Sequence, residues 1–422
     1  MHLKPIVTLR SVTLRFAVGT AITFSVAAGA QDSTPPPASA PAAQTPAPAA
    51  AAPADAAPAP LSTFVLSGPL AWLPPETFDA GPFGNLSVNG ILTGYAQGQN
   101  NPAPGDGTKQ ATLTNGFVFI QKPDGKLQWY VQAGIYDLPA LGAPFANAQN
   151  TTNNLFGPVP VAYVKLATGK TTTWQLGELP TLMGAEGIFS YQNMNISRGL
   201  LWFQENIVNR GVQVNQALGK YFSASLSWND GYYSGRYNWL SGSLTYTKGA
   251  NTIIYAGMGN AGQTGYSTAA TPLPQNNSVM HAVVYTYSKG AWVGTATYQY
   301  SNIPANAKIG IPVGANTNGF GLYLSKTMKH GFSLPGRFEY IEQSGTVSGG
   351  NVNLLYGPGS SAVSFTVTPT YQKGGFYFRS DLGVVDTNNS NGYAFGPTGK
   401  DASQVRGVGE FGFIFGKTSV EK

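Results

Sequence analysis

The chain contains no cysteine. That removes disulfide staples, thiol nucleophiles, cysteine-ligated zinc and iron–sulfur clusters. Charge is scarce as well. Asp, Glu, Lys and Arg make up 10% of the 422 residues, against roughly 25% in ordinary soluble domains. Beyond the N-terminal leader there is no run of about 20 apolar residues, so no helix is expected to cross a bilayer. Disorder is excluded by the 12% aromatic content, because disordered chains combine few aromatics with high net charge.

What is present is glycine (53), tyrosine (22) and phenylalanine (22), with a mean hydropathy close to zero. Such a composition fits a sheet with one lipid-facing side and one wet side. The formal charge is +6. The leader holds three of the 24 basic residues, leaving 21 against 18 acidic ones. An excess of that size gives no reason to expect nucleic acid.

The N-terminus has the form of an export signal. Lys4, Arg10 and Arg15 make a basic front, Phe16 to Ala28 a short apolar run, and Ala28-Gly29-Ala30 a small-x-small cleavage site. Cleavage is expected near Ala30. Residues 31–60 are almost entirely Ala and Pro, with no apolar pattern to bury, and are expected to form a periplasmic linker. Residues 61–83, with Trp72, Pro74 and Pro75, lead into the next domain.

From residue 84 to 416 the period of the pattern is two, not 3.6. Leu127, Trp129, Val131, Ala133 and Ile135 share one face, and Gln128, Tyr130, Gln132 and Gly134 the other. Phe222, Ala224, Leu226 and Trp228 oppose Ser223, Ser225 and Ser227. Val363, Phe365 and Val367 oppose Ser364 and Thr366. The wet face is small and polar rather than charged, which suits a water-filled lumen as well as a soluble surface.

The connections alternate strictly. Seven are short and glycine-bearing, around residues 122–126, 168–170, 218–220, 248–249, 289–290, 329–331 and 373–375, and eight of the 21 basic residues sit in them. Glycine supplies the positive φ that tight hairpins need. Between them lie eight longer polar connections, near residues 98–109, 138–157, 180–208, 230–236, 260–278, 302–314, 344–360 and 386–403. Short turns on one side and long loops on the other are the mark of a transmembrane antiparallel up-and-down β-barrel. Eight loops, each joining two strands, give about 16 strands. That size leaves an aqueous channel. The closing strand, Gln404 to Phe415, carries Phe411, Phe413 and Phe415 on one face and Arg406, Glu410 and Ile414 on the other. Residues 417–422 form a tail.

The least generic stretch is Gly177 to Gly231. It carries Gly184 and Glu186, then Asn193, Asn195, Ser197 and Arg198, then Gly211, Val212 and Val214, then Asn229, Asp230 and Gly231. This segment resembles the central part of the OmpL-like β-barrel porins of Gram-negative bacteria. The resemblance implies an outer-membrane location, outer-membrane lipid and the barrel-assembly machinery as partners, and passage of small solutes. Porins with 16 strands are trimers by the same resemblance, so a homotrimer is implied.

The third long loop, about 179–209, is the longest and the richest in charge. Glu186 and Glu205 are expected to face Arg198 and Arg210 across a pore constriction, where opposed charges would order water and disfavour apolar solutes. The same charges could instead brace the loop. In the strands, Lys165, Arg337, Glu339, Arg379, Asp381, Arg406 and Glu410 are expected on the lumen wall, because Arg or Lys facing lipid at mid-depth costs about 2–4 kcal/mol. Trp129, Trp228, Trp292, Tyr298 and Tyr300 fit interfacial girdles.

Other patterns carry no chemistry. Gly257-Met-Gly-Asn-Ala-Gly262 lacks the strand–helix setting of a nucleotide site. Asp386 to Gly392 departs from calcium-loop spacing and lacks its terminal glutamate. His281 and His330 are too far apart in topology to pair on a metal. No Gly-x-Ser-x-Gly elbow occurs. No cofactor, metal or catalytic residue is expected. The expected function is a passive diffusion porin for small hydrophilic solutes. The alternatives are a closed barrel for binding or adhesion, and a barrel lipid hydrolase.

Overall fold

An alternating chain has no helical stripe to bury, and in lipid every backbone donor and acceptor must find a partner. Both demands are met by strands in a closed ring. The computed structural model describes residues 68–417, and the leader and the Ala/Pro-rich segment lie outside the described residues. The strands are β1 (Glu76–Asp79), β2 (Asn85–Gln99), β3 (Lys109–Lys122), β4 (Leu127–Tyr136), β5 (Val161–Ala167) and β6 (Thr172–Pro180). Then come β7 (Val208–Ala217), β8 (Phe222–Asn229), β9 (Trp239–Lys248), β10 (Asn251–Asn260), β11 (Val279–Lys289) and β12 (Trp292–Ile303). The series ends with β13 (Ala315–Thr327), β14 (Phe332–Gln343), β15 (Ser361–Val367), β16 (Thr370–Lys373), β17 (Phe376–Asn388) and β18 (Ser403–Phe415).

Each strand pairs antiparallel with its neighbour, and β18 closes on β2 from Arg406↔Gln99 to Phe415↔Gly90. β15 and β16 share the same two neighbours, β14 and β17. They are one stave interrupted at Thr368-Pro369, where proline has no N–H for the ladder. β1 is a short extra strand on the start of β2. The wall of the ring therefore has 16 strands, as the alternation of turns and loops predicts.

The faces are inverted relative to a soluble protein. In β18, Phe411 is 59% exposed and its neighbour Glu410 is 0% exposed. Leu226, Trp228, Leu240, Phe365 and Leu382 are likewise outward and exposed. An exposed apolar face of this extent is a lipid-facing surface.

The seven short turns fall at one rim. Lys248 and Asn251 face each other across a two-residue turn in which Gly249 has φ +60°. The long loops fall at the other rim. The second contains helix α1 (Ala148–Asn154), capped by the Asn147 side chain accepting from the Asn150 N–H at 2.8 Å. The third, residues 181–207, runs inside the barrel, where nearly all of its side chains are buried.

Candidate functional site

Two segments occupy the lumen. The first is the third loop. Met183 packs on Trp239, Met258 and Met280, while Ala185 and Met194 pack on Ile254, Val284 and Tyr323. On another side Phe189 meets Phe117 at 4.6 Å and Tyr136 at 5.3 Å, both edge-on. The second is the lead-in segment. Leu70 joins the same lumenal cluster as Phe119, Tyr191 and Tyr377. Trp72 meets Phe119 at 5.4 Å and Tyr191 at 5.3 Å. The Ala71 N–H donates to Gln372 Oε1 and the Gln372 Nε2 donates back to the Ala71 carbonyl, both at 2.7 Å. This strap lies beneath the loop, with Gly68 against the backbone of residues 191–193.

Charged wall residues hold the loop. Strand alternation points Arg337 and Glu339 inward on β14, Arg379 and Asp381 on β17, and Arg406 and Glu410 on β18; all six are buried. Arg337 donates to Glu186 Oε1 at 2.6 Å and to the Ser197 carbonyl at 2.7 Å, and its Nε lies 3.4 Å from Glu339. Glu186 also accepts from the Gly199 N–H at 2.6 Å. Glu339 accepts from the Leu200 N–H at 2.7 Å and from Tyr323 at 3.2 Å. Asp381 accepts from the N–H groups of Ile196 and Ser197, at 3.2 and 2.8 Å. Arg379 pairs with Glu410 and donates to the Asn193 carbonyl at 3.1 Å, while Ser190 donates to Glu410 at 2.7 Å. Charge-assisted bonds of this kind are stronger than neutral ones, and here most of them join loop to wall, with Arg337–Glu339, Arg379–Glu410 and Tyr323–Glu339 bracing the wall itself. Arg406 instead holds the second loop, donating to the carbonyls of Ala140 and Ala143 at 2.7 Å.

The quartet expected across a constriction does not assemble. Glu186 pairs with Arg337, not with Arg198 or Arg210. Arg198 is fully buried, stacks on Trp202 at 5.1 Å and has no hydrogen-bonded guanidinium nitrogen among the described residues. Its backbone joins the loops instead, donating to the Pro139 carbonyl and accepting from the Leu141 N–H, each at 2.9 Å. The Glu205 carboxylate packs against Gly184, and burial pushes it well above the ordinary carboxylate range, with Glu186 and Glu339 adding to the shift. Arg210 lies in β7 and shares the face of Val212 and Val214, opposite Gln213 and Asn215. It pairs with Asp230 at 2.8 Å and stacks on Tyr233 at 4.0 Å, at the outer rim. Placing Arg210 in the loop overlooked the strand alternation, which already set its direction.

Lys165 stands apart from the other wall charges. It points inward between the exposed Val164 and Leu166, and is itself half-buried. Its cross-strand neighbours are Gln128 and Gln175. Further round, Asn215, Ser223, Ser225 and Ser243 also keep some contact with solvent. This part of the lumen, at the short-turn end of β5 to β9, is not covered by the loop. Among residues not anticipated as part of the site, Ser190, Asn193 and Ser197 carry loop-to-wall bonds, and Gly199 passes so close to the Glu339 carboxylate that a Cβ would overlap it. The polar run from Ser190 to Ser197 in an otherwise apolar stretch was the available signal.

No protein in the curated set matches this sequence. Among solved structures the chain is similar to an anion-selective porin from Comamonas acidovorans, with a TM-score of 0.55 at 12% identity, covering 78% of this chain and 99% of that one. It is also similar to the outer membrane channel DcaP of Acinetobacter baumannii (TM-score 0.54, 12% identity, 83% of this chain and 100% of that one). A third is OmpT of Vibrio cholerae as expressed in the outer membrane (TM-score 0.53, 12% identity, 81% and 100%). At such identities the likeness is one of fold. The family model described as "Putative beta-barrel porin-2, OmpL-like" matches residues 85–415, the whole of the barrel, and the chain belongs to that family.

Proposed function

We propose that this outer-membrane porin is a passive diffusion channel for small hydrophilic solutes, and that the loop of residues 181–207 narrows its bore. Solutes would pass along the polar wall of β5 to β9, where Asn215, Ser225 and Ser243 remain wetted. The observation that carries this is the anchoring of the loop: Glu186, Ser190 and the backbone of residues 196–200 bond to the opposite wall. The loop is bonded to β14, β17 and β18 and packs on β3, β4 and β9 to β11, which leaves the short-turn end of β5 to β9 to water. A homotrimer suits this use, since one of the solved relatives by fold, OmpT of Vibrio cholerae, is described in a trimer form. Export through a leader cleaved near Ala30 is part of the same reading.

The test is single-channel recording of the purified protein in planar bilayers. Discrete steps that scale with salt concentration are expected. Replacing residues 182–206 with a short Gly/Ser linker should raise the step several-fold. A folded barrel that inserts and passes no current, with or without the loop, would favour a closed binding barrel instead.

A further inference from the structure

The charges inside this barrel divide into those that are spent on structure and those that remain for solutes. Every lumen-facing charge on β14, β17 and β18 is buried and bonded. Arg337 is tied to Glu186 and Glu339, Arg379 to Glu410, Asp381 to two loop N–H groups, and Arg406 to three oxygens of the barrel and second loop. On β5 to β9 Lys165 is the one inward charge; the inward side chains around it are mostly amides and hydroxyls, with the apolar Val161, Leu179 and Trp239 toward the long-loop end. No ion pair or hydrogen bond of the Lys165 amine occurs among the described residues. Gln175, directly across from it, turns its carbonyl oxygen to Gln213 and Asn215, at 3.2 and 2.9 Å.

A second observation has the same sign. All seven short turns carry at least one lysine, among them Lys170, Lys220, Lys289 and Lys373. Their single acidic residue, Asp124, is paired with Lys122 at 2.8 Å. With the exposed Glu76 and Asp79 of β1 included, the mouth nearest Lys165 still carries an excess of positive charge, and such a rim concentrates anions at the entrance.

We propose that Lys165 is the selectivity-determining residue of the channel and that its preferred solutes are small anions, such as carboxylates or inorganic anions. This rests on the diffusion-channel function proposed above. A lone ammonium about 7 Å from a passing monovalent ion, across water, favours an anion over a cation roughly seven-fold by Coulomb's law. The low-dielectric wall raises that figure and salt lowers it. The charges opposite add little, because Arg337 and Arg379 lie against carboxylates and Arg406, held by neutral oxygens, is buried.

The test is the reversal potential of the full chain in asymmetric KCl. Chloride should permeate several-fold better than potassium. Lys165→Arg should keep that ratio, Lys165→Gln should bring it close to one, and Lys165→Glu should invert it, all with the unit conductance little changed. A ratio at or below one in the wild type, or one unmoved by Lys165→Glu, overturns the assignment. A second measurement does not require current. The chain has no cysteine, so Gln175→Cys introduces a single thiol beside Lys165. An anionic methanethiosulfonate should label it several-fold faster than a cationic one, each rate taken relative to a small free thiol. Adding Lys165→Gln should remove most of that difference. Equal rates in the single variant would refute the inference even if the barrel proved closed, and a preference without current would indict the diffusion function alone.

Discussion

Along β14, β17 and β18 the lumen presents Arg337, Glu339, Arg379, Asp381 and Glu410, none of them open to solvent. Along β5 to β9 it presents Lys165, Gln175, Asn215 and Ser225, all of them partly wetted. Both walls obey the same rule, that polar groups face away from lipid. They differ in what the polar groups do. One side spends its charges on fixing 27 residues of loop, 181–207, against the barrel; the other keeps a nearly neutral, hydrogen-bonding surface. The lesson is that a charge in a barrel lumen need not be a charge the solute meets.

If that contrast is right, the largest effect should come from Arg337→Met. It leaves Glu186 and Glu339 buried without their cation, and breaking one side of a buried pair costs roughly 3–5 kcal/mol. The midpoint of urea unfolding in detergent should fall accordingly. Gly199→Ala should come next. Its new methyl meets the Glu339 carboxylate, and overpacking of this sort costs about 1–3 kcal/mol. It should also loosen the loop, read as raised current noise.

Glu205→Gln should act in the opposite sense and more weakly. Because burial raises the Glu205 carboxyl in the folded protein, the folded state holds its proton to higher pH than the unfolded chain does. Stability therefore declines as pH rises above the ordinary carboxylate range. The glutamine variant should be more stable than wild type at pH 7, and the gain should vanish in unfolding titrations below about pH 4. On the wetted wall, Asn215→Ala loses part-buried bonds to Gln175, Gln213 and Ser225 and should cost no more than about 1.5 kcal/mol. A loss there as large as that of Arg337→Met would erase the distinction between the two sides.

Much of the architecture could be read before any coordinates, since it depends on local rules. Period-two alternation set the faces of β4, β8 and β15, and glycine-bearing turns set the strand number. The inward direction of Arg337, Arg379 and Glu410 followed from the cost of charge in lipid. What stayed hidden depends on the path of a loop through space. Nothing local couples Glu186 to Arg337, 151 positions away, or Ser190 to Glu410. The loop's charges looked like partners for each other because they are neighbours in sequence. Arg210 differs for another reason: it already belongs to β7, and the parity of Val212 and Val214 turns it away from the lumen.

The lead-in strap has a mechanical consequence. Ala71 and Trp72 fasten the chain to the inward side chains of Gln372 and Phe119, close to the short-turn rim, and the Pro74 carbonyl accepts from the Lys417 N–H at 2.6 Å. Tension applied upstream of Gly68 would therefore be borne first by these few bonds, and would tug on the underside of the third loop before it reached the seam between β18 and β2. A pull from that end would act on the hollow of the barrel, not on its edge.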